Sequence, residues 1–86
     1  MTPNTAKLHL TIQSSEGSYT DDFNEHNTVE QVVKETVKHL HLHDDPANPF
    51  ILEYNGQELP LQPTLAHDHI PDNATLTLRT KTSGGG

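Results

Sequence analysis

Eighty-six residues without a cysteine make one domain, with an apolar core near the smallest that suffices and neither disulfides nor a thiolate metal site to reinforce it. Twelve acidic side chains against five basic ones give a net charge of −7, which repels phosphate backbones and anionic lipid and so excludes nucleic acid and membrane surfaces as expected partners. No apolar run approaches the roughly 20 residues of a membrane span, and the opening MTPNTAK lacks the basic start and apolar stretch of a signal peptide, so a cytoplasmic setting is expected.

The first regular signal is LHLTIQ, where Leu8, Leu10 and Ile12 alternate with His9, Thr11 and Gln13 at the period of a half-buried strand. SSEG supplies turn chemistry, with Gly17 in the left-handed position, and SYTDDF reads as a second, weaker strand completing a hairpin. The period then changes. Thr28 is an N-cap, Gln31 completes a capping box, and Val29, Val32, Val33, Thr36, Val37 and Leu40 form one apolar stripe on a helix over roughly residues 29–41. Four valines are poor helix formers, so tertiary packing must hold this helix. Asp44, Asp45, Pro46 and Pro49 end it and carry a loop.

In FILEYNGQEL, Asn55-Gly56 between two apolar runs is a strong hairpin signal. Pro60 and Pro63 make the next stretch irregular, TLAHDHI reads as a capped single turn burying Leu65 and Ile70, and ATLTLRTK alternates again through Leu76 and Leu78. Strand, strand, helix, strand, strand, turn, strand has one familiar solution. It is an α+β β-grasp, a mixed sheet of four to five strands packed on one helix, with the opening strand beside the last. Residues 1–6 are expected to be a flexible N-terminus, 7–81 the domain, and 82–86 a flexible glycine-rich tail.

FILEYNGQELPLQPTLAHDHIPDNATLTL resembles the second half of ubiquitin almost without gaps, and LHLTIQSSEGS resembles its first hairpin, with Gly17 at the turn glycine and Thr28 at the helix cap. The likeness extends over about residues 8–85 and identifies the chain as similar to the ubiquitin-like modifiers, in a divergent form of prokaryotic type. Such modifiers end in two glycines, matched here by Gly84 and Gly85 with Gly86 beyond them. The resemblance implies a C-terminal glycine carboxylate that an activating enzyme adenylates and that passes through a thioester relay to a target. Glycines suit that task because a backbone without Cβ atoms can lie against the walls of a narrow enzyme channel.

The same resemblance implies a substrate and tag rather than an enzyme, with no catalytic residue, no cofactor and no metal. Gly84, Gly85 and Gly86 are the conjugation tail, and Lys81 and Arg79 are candidate contacts for the activating enzyme. Lys7, Lys34, Lys38 and Lys81 are candidate acceptors. The implied partners are an activating enzyme, a conjugating enzyme, a tail-trimming or deconjugating protease and protein targets. The positions of ubiquitin's apolar recognition patch hold Ser15, Glu53 and Arg79, so eukaryotic ubiquitin readers are not expected to bind. The positions of its commonest chain-linking lysines hold Ser18, Gln57 and Asp72, which excludes chains of that kind.

His39 and His43 stand at i, i+4, a workable zinc spacing that His67 or His69 could complete, but no HExxH motif accompanies them, and histidines near a helix C-terminus also suit its dipole. Asp44 and Asp45 read as loop residues, and Thr80, Thr82 and Ser83 as solvated hydroxyls rather than nucleophiles. Two alternatives stay open. One is a sulfur carrier that ends in a thiocarboxylate, and the other is a non-conjugated interaction module of the same fold.

Overall fold

The computed structural model describes residues 7–43, 45 and 47–81. The expected N-terminal segment 1–6 and tail 82–86 lie outside the described residues. Six elements follow in the anticipated order: β1 (Lys7–Ser14), β2 (Gly17–Asn24), α1 (Val29–His39), β3 (Phe50–Tyr54), β4 (Gln57–Leu59) and β5 (Thr75–Thr80).

The five strands form one sheet in the order β2-β1-β5-β3-β4. Only the β1–β5 pair is parallel, Ile12 standing opposite Leu76, while β2 pairs with β1 and β3 with β5 and β4 in antiparallel fashion. This is the β-grasp arrangement. Alternation decides which face is buried: Leu10, Ile12, Leu52 and Leu76 are wholly inaccessible, as are Val29 and Val32 on the helix laid across them. Each such side chain contributes about 1.5–3 kcal/mol through burial, which is what holds a valine-rich helix in place.

The capping box forms as the sequence anticipates. The Thr28 hydroxyl accepts the Gln31 N–H, and the Gln31 side chain accepts the Thr28 N–H at 2.8 Å. Two further N-terminal amides, those of Val29 and Glu30, donate to the carbonyls of Pro63 and Leu61, so the irregular segment after β4 doubles as a helix cap. Thr36 is the one polar residue of the buried stripe, and its hydroxyl donates to the Val32 carbonyl at 2.8 Å, leaving it satisfied.

The helix ends at His39, two residues before the expected boundary, and the reason is local. His41 takes a left-handed conformation (φ 55°), its N–H donates to the Lys38 carbonyl, and the Leu42 N–H donates to that of Val37. These are the two bonds of a Schellman stop. The second hairpin turns at Asn55 (φ 53°) and Gly56 (φ 79°), the two left-handed residues that a tight hairpin loop requires. In the first hairpin Gly17 has φ 135°, and β2 runs a full eight residues, longer than the SYTDDF segment suggests.

Candidate functional site

Strand β5 is central, flanked by β1 on one side and β3 on the other, so the segment following it leaves from the middle of the sheet rather than from an edge. Thr80 stands opposite Phe50, and the Lys81 N–H donates to the Pro49 carbonyl at 2.8 Å, extending the ladder one residue past the strand. The ladder anchors the last described residue, and the conjugation tail Gly84, Gly85 and Gly86 lies outside the described residues.

Both basic residues next to that exit are engaged by acids on the sheet face away from the helix. Arg79 Nη2 lies 2.7 Å from Glu53 Oε2, and Lys81 Nζ lies 3.6 Å from Glu58 Oε2. Glu53 and Glu58 face each other directly across β3 and β4, a like-charge pairing that would cost stability without the two cations set against it. The hydrogen bond from Arg79 holds the Glu53 carboxyl below its usual range, and the same bond holds the guanidinium above its own. Ile51 stands opposite Arg79 in register and is buried on this otherwise polar face, a position where an arginine's aliphatic stem can lie over a neighbour.

Of the three positions matching ubiquitin's apolar patch, Glu53 and Arg79 are therefore brought together as an ion pair. Ser15 is exposed in the first hairpin's turn. It shares with Arg79 the lining of a groove of about 790 Å³, which runs between that turn, the post-helix residues Leu40 and Leu42, and the end of β5. Asp72, one of the chain-linking positions, serves the fold by accepting the His9 N–H at 2.7 Å. Among the candidate acceptors, Lys7 is exposed opposite Asn24, Lys34 lies 3.9 Å from Glu30, Lys38 is exposed on the last helical turn, and Lys81 carries the pairing already described.

The histidines have uses that their spacing concealed. The His39 ring stacks on Tyr19 with centroids 4.4 Å apart, and its Nε2 lies 3.8 Å from Glu35. Burial first, and then the hydrogen bond to Asp21, pushes the Tyr19 phenol well above its ordinary range, while the Tyr19 bond lowers Asp21. His69 repeats the role of His41. It is left-handed (φ 56°) with its N–H on the Ala66 carbonyl, and the Ile70 N–H on that of Leu65 closes a second Schellman turn around the two buried side chains. No group of three or more metal-ligating side chains occurs among the described residues. Asp45 caps its own loop, accepting the Ala47 N–H at 3.0 Å and the Asn48 amide at 3.1 Å, and these bonds lower its carboxyl pKa.

No protein-family model and no curated protein matches the chain. Solved structures do. A protein designed on the basis of ubiquitin is 30% identical, with 93% of this chain and 95% of that one covered and a TM-score of 0.74. An N-terminal ubiquitin-like domain solved in solution is 20% identical over 100% of this chain and 86% of that one, with a TM-score of 0.74. A ubiquitin-like domain of an Arabidopsis thaliana protein is 19% identical over 96% and 86%, with a TM-score of 0.71. By the first of these matches, and with a mixed five-stranded sheet packed on one helix, the chain belongs to the ubiquitin-like β-grasp family.

Proposed function

We propose that this chain is a ubiquitin-like protein modifier, a substrate and tag rather than a catalyst. The observation that carries the reading is the run Gly84-Gly85-Gly86, which in sequence follows the central strand of a ubiquitin-like sheet after three intervening residues. A glycine carboxylate, used as it stands or after trimming by a protease, is adenylated by an activating enzyme. It then passes as a thioester to a conjugating enzyme and on to a nucleophile of a target. Beyond Lys81, five residues reach at most about 17 Å, enough to enter an active site while the folded body stays outside.

The polar exchange at the patch positions favours dedicated enzymes of a divergent, prokaryotic-type system over eukaryotic ubiquitin readers. Glu53 and Arg79 close on each other, and an apolar-seeking receptor gains nothing from desolvating that pair.

Incubation with ATP and candidate activating enzymes, followed by intact-mass analysis, tests the proposal. An acyl-adenylate and then thiol-sensitive adducts are expected, all abolished by deleting Gly84–Gly86. A stable product in which sulfur replaces one carboxylate oxygen would assign the sulfur-carrier role instead. Adducts that survive the deletion would leave only the interaction module.

A further inference from the structure

The Asn55-Gly56 pair makes the β3–β4 turn, and it is also the dipeptide in which an asparagine amide is lost most readily. The reaction needs only water. The Gly56 backbone nitrogen attacks Asn55 Cγ. A new N–Cγ bond forms, the Cγ–Nδ2 bond breaks, and ammonia leaves with the Gly56 amide proton, closing a five-membered succinimide. Water then opens the ring at one of its two carbonyls. Cleavage at Cγ gives aspartate, and cleavage at the main-chain carbonyl gives isoaspartate, in which the chain runs through the former side chain and is one carbon longer.

Among the described asparagines, Asn55 combines a free amide with an open nucleophile. Asn24 Oδ1 accepts the His26 N–H, Asn27 accepts the Asn24 N–H and donates to Gln31, and the Asn48 amide donates to Asp45. Asn48 also precedes Pro49, whose nitrogen has no proton to give up. Asn73 precedes the buried Ala74, whose methyl hinders the attack. Asn55 and Gly56 are both exposed, and the Asn55 side chain has no hydrogen bond among the described residues. No atom outside the adjoining residues lies within 4 Å of where a Gly56 side chain would begin.

The closed turn nevertheless holds the reaction back. Asn55 has φ 53°, and a residue with a side chain at such a φ occupies the left-handed well, with ψ of about +30 to +60°. There the Gly56 nitrogen lies on the far side of the Cα–C bond from Cβ, and bringing it onto Cγ takes roughly half a turn about that bond. The hairpin forbids that rotation while Tyr54 and Gln57 are paired on either side of the two-residue loop. Strand β4 decides how long they stay paired. It is a three-residue edge strand with Leu59 as its one buried side chain, the kind of element that opens locally well before a core unfolds.

We propose that Asn55 is a spontaneous modification site gated by the β3–β4 hairpin, silent while the turn is closed and converted to aspartate and isoaspartate when β4 lifts away. The two products differ in consequence. Aspartate keeps the turn, because Asp-Gly suits the same hairpin loop. Isoaspartate lengthens the loop by one main-chain carbon, which breaks the Tyr54–Gln57 pairing and with it the placement of Glu58, 3.6 Å from Lys81. Opening of the hairpin is thereby turned into a permanent mark that frees a cation at the β5 exit. The inference does not depend on the tail and holds whether or not the chain is conjugated.

The test incubates the intact chain at mildly alkaline pH, in buffer and in concentrated urea, and follows the amide-to-acid mass change at each asparagine by peptide mapping. In urea, conversion is expected at Asn55 ahead of every other asparagine. In buffer it should be about tenfold or more slower, the factor by which closed hairpins outnumber open ones. Gln57→Gly weakens the exposed strand without touching the core, so it should speed conversion in buffer about two- to fivefold and leave the rate in urea unchanged. The purified isoaspartate form should show displaced amide signals at Gln57, Glu58 and Leu59, whereas Asn55→Asp should leave those three in place. Equal rates in buffer and urea, faster loss at another asparagine, a Gln57→Gly variant that converts no faster in buffer, or an isoaspartate form with an undisturbed hairpin would each overturn the proposal.

Discussion

Single residues here act mainly by satisfying backbone groups or by pairing charges, and each role has a measurable consequence. Thr28 holds one of the helix's orphan amides through its hydroxyl, so Thr28→Ala is expected to lower stability by about 1 kcal/mol, read as a shift of the urea midpoint without a change in slope. Glu53 belongs to the pH axis. Its carboxyl pKa in the folded protein is lowered by the Arg79 hydrogen bond from the ordinary value of 4.5. A carboxyl with a lowered folded pKa stabilises the fold above its unfolded pKa and loses that contribution as pH falls through the folded one. Asp21 and Asp45 have the same sign. Thermal midpoints are therefore expected to hold steady near neutrality and to fall as pH drops below about 4.5. Glu53→Gln should lower the midpoint at pH 7 and make the acid decline shallower. A decline as steep as that of the unaltered chain would remove Glu53 from the account.

At the scale of elements, most of the fold is legible because its punctuation is local. Thr28 with Gln31, Asn55 with Gly56, and the alternation through Leu8, Leu10 and Ile12 each specify their element within a few residues. The helix C-terminus is not legible in the same way, since His41 takes the left-handed place that glycine usually marks, and the stop is closed by the backbone bonds of His41 and Leu42 to the Lys38 and Val37 carbonyls. His69 hides a second stop for the same reason. Strand β2 reads as weak because Phe23 is its only fully buried side chain, yet its pairing with β1 runs the full length. It is also an open edge, and the edge is guarded: the Asp22 N–H donates to the Asp21 carboxylate at 2.7 Å, and the Asn24 N–H to Asn27 Oδ1 at 3.0 Å. Adjacent charges and capped amides keep another strand from pairing there. Asp21→Ala combined with Asp22→Thr should raise the apparent mass above that of the unaltered chain in sedimentation at equal concentration, with less than about 1 kcal/mol lost from the fold. An unchanged sedimentation profile would show that the edge needs no such guard.

Across the whole molecule, long-range register decides what local pattern cannot. The glycine run is plain in the sequence, but Arg79 meets Glu53 across 26 residues, and only the β3–β5 pairing shows that the cation beside the exit is committed. A groove beside Lys38, lined from α1, the start of β3 and the segment after β4, is likewise invisible to any window along the chain. The same accounting of charges predicts how the fold responds to salt. Arg79, Lys81 and Lys34 each have a carboxylate partner, and those pairs are exposed enough that solvent screens most of their attraction. The excess that leaves the chain at −7 is concentrated on the first hairpin, the helix and the loop after it, where Asp21, Asp22 and Glu35 share one side of the fold. Screening weakens both the three attractions and the mutual repulsion, and the repulsion involves more charges over distances comparable to the ~10 Å Debye length at 0.1 M salt. Raising sodium chloride from ~10 to ~150 mM at pH 7 is therefore expected to raise the thermal midpoint, and Asp21→Asn, which lifts one charge from the crowded side, should shrink that gain. A midpoint that falls with salt would mean the ion pairs around the β5 exit outweigh the acidic side, and the exit would then be the most electrostatically stabilised part of the molecule.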